Sequence, residues 1–134
     1  MTKRFLITIG IMGSIGVLFT LIGALVFSGN ISEENMSLYN TANEFLMFHT
    51  LALLGLAFMN RYVSRSYLNT IYYLFVIGII LFSGSLYVIS LKELTGFNIG
   101  SFKMLIPIGG FLLFSGWITI IFSGISYTHK KKHH

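Results

Sequence analysis

Two ionisable side chains, Glu44 and His49, lie at or inside an apolar stretch of the sequence, where such groups are rare. A histidine in this position has three roles open to it: a hydrogen bond to a neighbouring helix, binding of a ligand or proton, and coordination of a metal. A metal would need two or three more nitrogen or oxygen ligands, and only Glu44 offers a second one. We therefore expect no bound metal, and the other two roles stay open.

The rest of the composition narrows the chemistry further. The sequence has no cysteine, which excludes disulfides, thiolate catalysis and cysteine-based metal sites. No nucleophile–base pair stands out, so we expect a protein that is not an enzyme and has no cofactor. The formal net charge of +5 comes from residues at the ends of apolar runs, without interleaved aromatic residues. This pattern is typical of membrane topology signals and contacts with anionic lipids, and it gives no support to nucleic-acid binding.

Four apolar runs must position these side chains. The sequence is 54% hydrophobic and 10% charged, whereas soluble domains have about 25% charged residues. About 20 apolar residues in a helix cross a hydrocarbon core of ~30 Å. The sequence therefore predicts an all-α polytopic membrane protein, with one membrane domain over residues 1–134. Its four transmembrane helices are expected in an antiparallel bundle, at about residues 5–27, 44–60, 68–91 and 105–127.

Two connections carry additional signals. Residues 31–43 suit either a short interfacial helix or an N-terminal extension of the second helix. In either case Ser32 is the expected cap, with Glu33 and Glu34 in the first turn. Pro107 is expected in the first turn of the fourth helix, where its missing N–H group has little effect.

The basic residues are distributed unequally between the two sides of the predicted bundle. Two of the nine, Lys92 and Lys103, fall on the same side as all four acidic residues. The positive-inside rule then predicts that both termini and the loop between helices two and three are cytoplasmic. The other seven basic residues fall on that side: Lys3, Arg4, Arg61, Arg65, Lys130, Lys131 and Lys132.

Small residues recur along the predicted helices. Membrane helices associate where small residues allow their backbones to approach closely. We interpret these positions as packing sites within the bundle, and an interface between copies of the chain is the alternative. Trp117 lies too deep for an interfacial aromatic belt, so it is also expected to pack. The glycines concerned are Gly13, Gly16, Gly23, Gly78 and Gly116.

Polar and small residues of different helices are predicted to lie at one depth in the outer leaflet. His49 is about five residues, or ~7–8 Å, below the outer end of helix two. This predicts a small polar pocket open to the outside, with His49 at its centre. In the alternative, neutral His49 bonds Ser83, Ser85 or a carbonyl group and locks helix two to helix three. The residues of the predicted pocket are His49, Glu44, Thr41, Ser83, Ser85, Tyr87, Gly109 and Gly110.

Three motifs, in order along the chain, resemble those of a family of small bacterial membrane proteins called domain of unknown function four-two-three. They are FHTLALL from Phe48, GIILFSGSLY from Gly78 and PIGG…GW from Pro107. The resemblance covers residues 31–125 and implies four transmembrane helices in a bacterial inner membrane, without implying an activity. The chain departs from the family at residues 21–28, which lack a histidine usual there, and at Ile106, where threonine is usual.

These observations lead to two functional hypotheses. The first is a non-enzymatic integral membrane protein that is structural, contacts lipids or binds a partner. The second is a small transporter or channel component that uses the pocket at His49 and must form an oligomer, because four short helices hardly enclose a pathway. The expected partners are membrane lipids and either a second copy of the chain or another membrane protein.

Overall fold

Four long helices account for most of the computed structural model, which describes residues 2–96 and 100–131. Each is long and apolar enough to cross a membrane, so the prediction of four transmembrane helices is confirmed. Their polar ends fall into two groups. We call the end with Thr2, Phe58 and Arg65 the basic end and the opposite end the acidic end. The helices are α1 (Thr2–Ile22, continued by a π-helical turn, Gly23–Phe27), α2 (Glu33–Phe58), α3 (Arg65–Ser90), a short α4 (Lys92–Thr95) and α5 (Gly100–Lys131).

Helix α2 begins eleven residues before the predicted start at residue 44, because residues 33–43 extend it without a break. The Ser32 side chain caps it by accepting a hydrogen bond of 3.2 Å from the Asn35 backbone N–H group. Glu33 and Glu34 occupy the first turn, where their negative charges interact favourably with the positive end of the helix dipole. The extension is the form that the structure adopts, and a separate interfacial helix is absent from the described residues.

The connection between α3 and α5 differs from the prediction in two ways. It contains a helix of four residues, α4, which ends at Gly96 in the left-handed conformation with a φ of 71°. Helix α5 begins at Gly100, so Pro107 lies inside the helix. The expectation that Pro107 occupies the first turn is therefore wrong, because polar residues before the apolar run extend the helix by more than one turn.

Helices α2 and α3 form the centre of the bundle, and α1 and α5 lie in the two grooves on either side of this pair. Phe5 of α1 packs on Tyr72 of α3, with ring centroids 4.9 Å apart. On the opposite side, Trp117 of α5 packs on Phe75 of α3, at 5.3 Å. The central helices are consequently the most buried, while α1 and α5 expose most of their apolar surface. Sequence neighbours α1 and α2, α2 and α3, and α3 and α5 pack antiparallel.

The predicted packing glycines lie on faces that meet other helices. In α1, a methyl group at Gly23 would lie 2.6 Å from the Tyr39 ring, and one at Gly16 would overlap Met47. Gly13 has a looser contact with Thr50, at 3.8 Å. Tyr39 thus occupies the space that the glycine leaves at the π-helical turn.

The remaining packing glycines, Gly78 and Gly116, lie between α3 and α5. A methyl group at Gly116 would lie 2.5 Å from the Phe75 ring, and one at Gly78 would lie 2.8 Å from Leu113. Their absent side chains allow α3 and α5 to approach each other more closely than the other pairs of helices.

Candidate functional site

One face of α2 carries several of the polar side chains inside the bundle. Its buried positions follow a spacing of four and three residues, which is the heptad pattern of helices that pack at a shallow angle. The spacing places Asn35, Tyr39 and His49 on the same stripe as the apolar core residues. The stripe consists of Asn35, Tyr39, Ala42, Leu46, His49, Leu53 and Leu56.

His49 is bonded through both of its ring nitrogens. Its Nδ1 lies 2.7 Å from the Phe45 carbonyl oxygen, and its Nε2 lies 3.1 Å from the Trp117 indole nitrogen. A carbonyl oxygen only accepts and an indole N–H only donates, so His49 is neutral and carries its proton on Nδ1. Its ring packs edge-on against Phe75 at 5.0 Å, and the residue is 4% exposed. His49 therefore bonds α2 to α5, and both of its ring nitrogens take part in hydrogen bonds.

A second polar cluster lies nearer the acidic end of the bundle, between α2 and α3. The Ser83 hydroxyl donates to the Ala42 carbonyl oxygen at 2.9 Å, and the Tyr87 hydroxyl donates to the side-chain oxygen of Asn43. Tyr39 adds a bond of 2.5 Å to the Phe19 carbonyl oxygen of α1. The three helices are thus joined by hydrogen bonds in a region where water is scarce.

The residues of the predicted pocket do not surround His49. Ser83 contacts α2 at Ala42, seven residues before His49, which corresponds to ~10 Å along the helix axis. Gly109 packs on the backbone of Phe82. The predicted depth of His49 depends on a helix that starts at Glu44, whereas α2 begins at Glu33. The pocket around His49 stays a prediction. In the structure, Ser83 and Gly109 contact Ala42 and Phe82.

The other predicted pocket residues lie elsewhere. Thr41 and Glu44 line a shallow groove on the outer face of α2, where Thr41 donates to the Ser37 carbonyl oxygen at 3.0 Å. Positions 44 and 49 are about 140° apart around the helix, so Glu44 points away from His49. Ser85 is buried, and Gly110 lies in ordinary contact with the Phe82 ring at 3.7 Å. Within residues 2–96 and 100–131, no three histidine or acidic side chains come together as a metal site requires.

Sequence reasoning missed three of the polar residues that join the helices: Asn35, Tyr39 and Asn43. Asn35 is 3% exposed, and its side-chain amide donates a hydrogen bond of 2.6 Å to a carboxylate oxygen of Glu93 on α4. Asn43 lies beside the stripe, next to Ala42. For Asn35 and Tyr39 the signal is the heptad spacing, which continues from the apolar run back to Asn35 without a break. It was hidden because the polar extension lowers the hydropathy of this part of the sequence.

The fold and the site together define a class: a small multi-pass helical membrane protein whose intramembrane polar groups bond to one another. The chain matches the model of the family described as "Protein of unknown function (DUF423)" over residues 22–110, and it belongs to that family. This confirms the resemblance of the three motifs.

Two bacterial relatives of the chain are also described as membrane proteins. The chain is 35% identical to the UPF0382 inner membrane protein YgdD of Escherichia coli (strain K12), with 100% of this chain and 99% of the relative covered. It is 30% identical to the UPF0382 membrane protein YwdK of Bacillus subtilis (strain 168), over 87% of this chain and 95% of the relative. No solved structure matches the chain.

Proposed function

We propose that this protein is a non-enzymatic component of the bacterial cytoplasmic membrane, with both termini in the cytoplasm, and that it acts through the surfaces it presents to lipids and partner proteins. The observation that carries the proposal is that several polar side chains inside the spans bond one another or a backbone carbonyl group. His49 bonds Phe45 and Trp117, Ser83 bonds Ala42, and Tyr87 bonds Asn43.

This pairing favours a structural use of the polar groups. A transport pathway requires polar groups that bind a solute or ion and release it again. An active site requires a nucleophile or base that is free to react. Side chains that bond other helices instead fix how the helices pack, because a polar group has few alternative partners in hydrocarbon.

The outer surfaces of α1 and α5 support the second part of the proposal. Large apolar side chains cover both helices, and Leu25 is 81% exposed while Phe111 is 71% exposed. In a membrane this surface meets lipid tails or the apolar surface of another membrane protein. The contacts that the protein makes with its surroundings are therefore concentrated on its two outer helices.

Reconstitution into proteoliposomes tests the proposal against the transporter hypothesis. Vesicles that contain the protein and a trapped pH-sensitive dye should show the same proton permeability as empty vesicles, and vesicles with a trapped potassium-sensitive dye should show the same potassium permeability. The His49→Ala protein should give the same result. Flux through the unmodified protein that His49→Ala abolishes would overturn the proposal and establish a pathway at His49. Flux that His49→Ala leaves unchanged would also overturn it and place the pathway elsewhere.

A further inference from the structure

A groove with an apolar lining runs along the outside of the bundle between α1 and α3. It encloses a cavity of about 450 Å³. It extends from Thr8 to Phe19 on α1, which corresponds to ~16 Å along the helix axis. The groove is lined chiefly by Ile11, Met12 and Ile15 of α1 and by Val76, Ile79 and Ile80 of α3.

Arg4 lies immediately beyond the basic end of this groove. Arg4 and Lys3 line a small depression with Thr8, and Thr8 is also the first residue of the groove. The Arg4 guanidinium lies over the Tyr72 ring, 4.5 Å from its centroid, and this contact holds it in place. The positive charge is thus fixed at the entrance to the groove.

The Arg4 charge has no acidic partner among the residues described. Its hydrogen bonds go to the Tyr73 hydroxyl, at 3.3 Å, and to the side-chain oxygen of Asn69, and both of these groups are neutral. Its Nε is buried without a hydrogen-bond partner in the described part of the chain. Arg4 is only half-buried, so the rest of its guanidinium can bind an anion through charge-assisted hydrogen bonds.

We propose that the groove between α1 and α3 binds one acyl chain of an anionic phospholipid whose headgroup phosphate is bound by Arg4 and Lys3. The proposal rests on the lipid-contacting role proposed above and names the class of lipid. A hydrocarbon half-layer of ~15 Å matches the length of the groove below Thr8. The charge of Arg4 and Lys3 selects a phosphate-containing headgroup with a net negative charge over a zwitterionic one.

A second groove provides an internal comparison. It lies between α2 and α5 at the same end of the bundle and encloses about 400 Å³. Its lining includes Leu56, Ile120 and Tyr127 and has no basic residue among the side chains that the structure describes. We assign the selective site to the groove beside Arg4, because two basic side chains of the described residues, Lys3 and Arg4, lie at its entrance.

Native mass spectrometry of the purified full-length protein tests the proposal. The protein is mixed in detergent with phosphatidylglycerol or with phosphatidylcholine of the same acyl chains, and bound lipid is counted. We expect one phosphatidylglycerol to be retained, with about fivefold to tenfold preference over phosphatidylcholine, since a surface basic residue contributes a modest attraction to an anionic lipid. Equal retention of the two lipids would overturn the proposal.

Two charge-removing variants separate a specific contact from general attraction. Arg4→Gln should reduce the preference to near unity. Arg61→Gln removes the same charge from an exposed loop at the same end and should leave the preference unchanged. Equal losses in the two variants would show that only the total charge of this end attracts the lipid, and would overturn the site.

A second pair of variants tests the groove and does not depend on Arg4. Val76→Phe places a ring in the groove, whereas Ile77→Phe places one on the neighbouring lipid-facing surface. Val76→Phe should lower retention of phosphatidylglycerol, and Ile77→Phe should not. Melting temperatures without added lipid show whether each variant is folded, and an unchanged retention in folded Val76→Phe would overturn the acyl-chain site.

Competition with inorganic phosphate distinguishes a lipid from a free anion. Phosphate at millimolar concentration should not displace phosphatidylglycerol, because it gains nothing from the groove. Displacement would reassign the site to soluble anions. An acidic peptide that displaced the lipid equally well would reassign it to a protein partner. None of these outcomes depends on flux, so a failure here is distinguishable from a failure of the proposed non-transport function.

Discussion

At the scale of single residues, His49 is an intramembrane histidine with a hydrogen bond at each ring nitrogen. The Nδ1–H group bonds the preceding turn of its own helix, and Nε2 accepts from Trp117 on α5. The first bond fixes the tautomer, and the tautomer makes Nε2 an acceptor. The donor to Nε2 is the Trp117 indole N–H group, which finds in His49 an acceptor far from the interfacial belt, where water would serve as one.

Trp117→Phe tests this bond. The change removes the indole N–H and leaves Nε2 of His49 without a donor in apolar surroundings. We expect the free energy of unfolding in detergent to fall by about 0.5–1.5 kcal/mol, the range measured for hydrogen bonds between membrane helices. The control is Phe114→Leu, one turn away on the exposed face of α5. His49→Ala should lower stability as well, and the double variant should lose less than the sum of the two single changes. Strict additivity would contradict the coupling.

At the scale of elements, the contact between α3 and α5 depends on backbone approach. A methyl group at Gly109 would lie 2.5 Å from the Phe82 backbone nitrogen and 2.9 Å from the Gly78 carbonyl oxygen. Neither atom can move without shifting a helix. A methyl group at Gly110, the next residue, would meet the Phe82 ring at 3.7 Å, which is ordinary contact. The two neighbouring glycines therefore have different roles.

Gly109→Ala and Gly110→Ala form a matched pair for this difference. Gly109→Ala should force α3 and α5 apart and lower the melting temperature clearly, since overpacking a tight contact costs about 1–3 kcal/mol. Gly110→Ala should leave it unchanged or raise it slightly, because alanine favours a helix over glycine. Thermal unfolding of both variants in the same detergent provides the measurement. Equal effects would show that the glycines act by helix propensity and not by their position in the interface.

The elements also show which features of the fold could be predicted from the sequence. Hydropathy predicted the number of helices because the length of an apolar run is set by the membrane itself. It failed at the start of α2, where Asn35 and Tyr39 are buried by packing on α4 and α1 and not by lipid. The packing glycines could be anticipated, because a glycine at a contact between membrane helices allows their backbones to approach closely.

For the candidate site, the sequence identified residues more successfully than their partners. The sequence predicts that His49 bonds Ser83, Ser85 or a carbonyl group and so joins α2 to α3. In the structure its carbonyl partner, Phe45, lies on α2 itself, and its partner on another helix is Trp117 of α5. The choice between these partners depends on the relative shift of the helices along their axes. That shift follows from contacts such as Ser83 with Ala42, which join residues forty-one positions apart. A depth count along separate helices does not contain this information.

At the scale of the whole molecule, charge and packing divide the bundle into two different ends. All four acidic residues lie towards the acidic end, and Glu93 bonds Asn35 there. Arg4, at the basic end, is held by tyrosine and asparagine alone among the described residues. Basic residues without acidic partners are retained on the cytoplasmic side during insertion and are attracted to anionic lipid there. The same charges thus predict both the orientation and the leaflet of the proposed lipid site.

The absence of cysteine makes the orientation directly measurable. Ser28 and Ser66 are both exposed, at the acidic and basic ends respectively, so Ser28→Cys and Ser66→Cys are matched single-cysteine variants. In bacteria whose outer layer is permeable to the reagent and whose inner membrane is intact, a membrane-impermeant maleimide should label Ser28→Cys and not Ser66→Cys. Both should be labelled after the inner membrane is disrupted, which controls for accessibility. Labelling of Ser66→Cys alone in intact cells would show that the bundle has the opposite orientation. It would also place Arg4 in the outer leaflet, where the lipid site would have to draw on a different pool of anionic lipid.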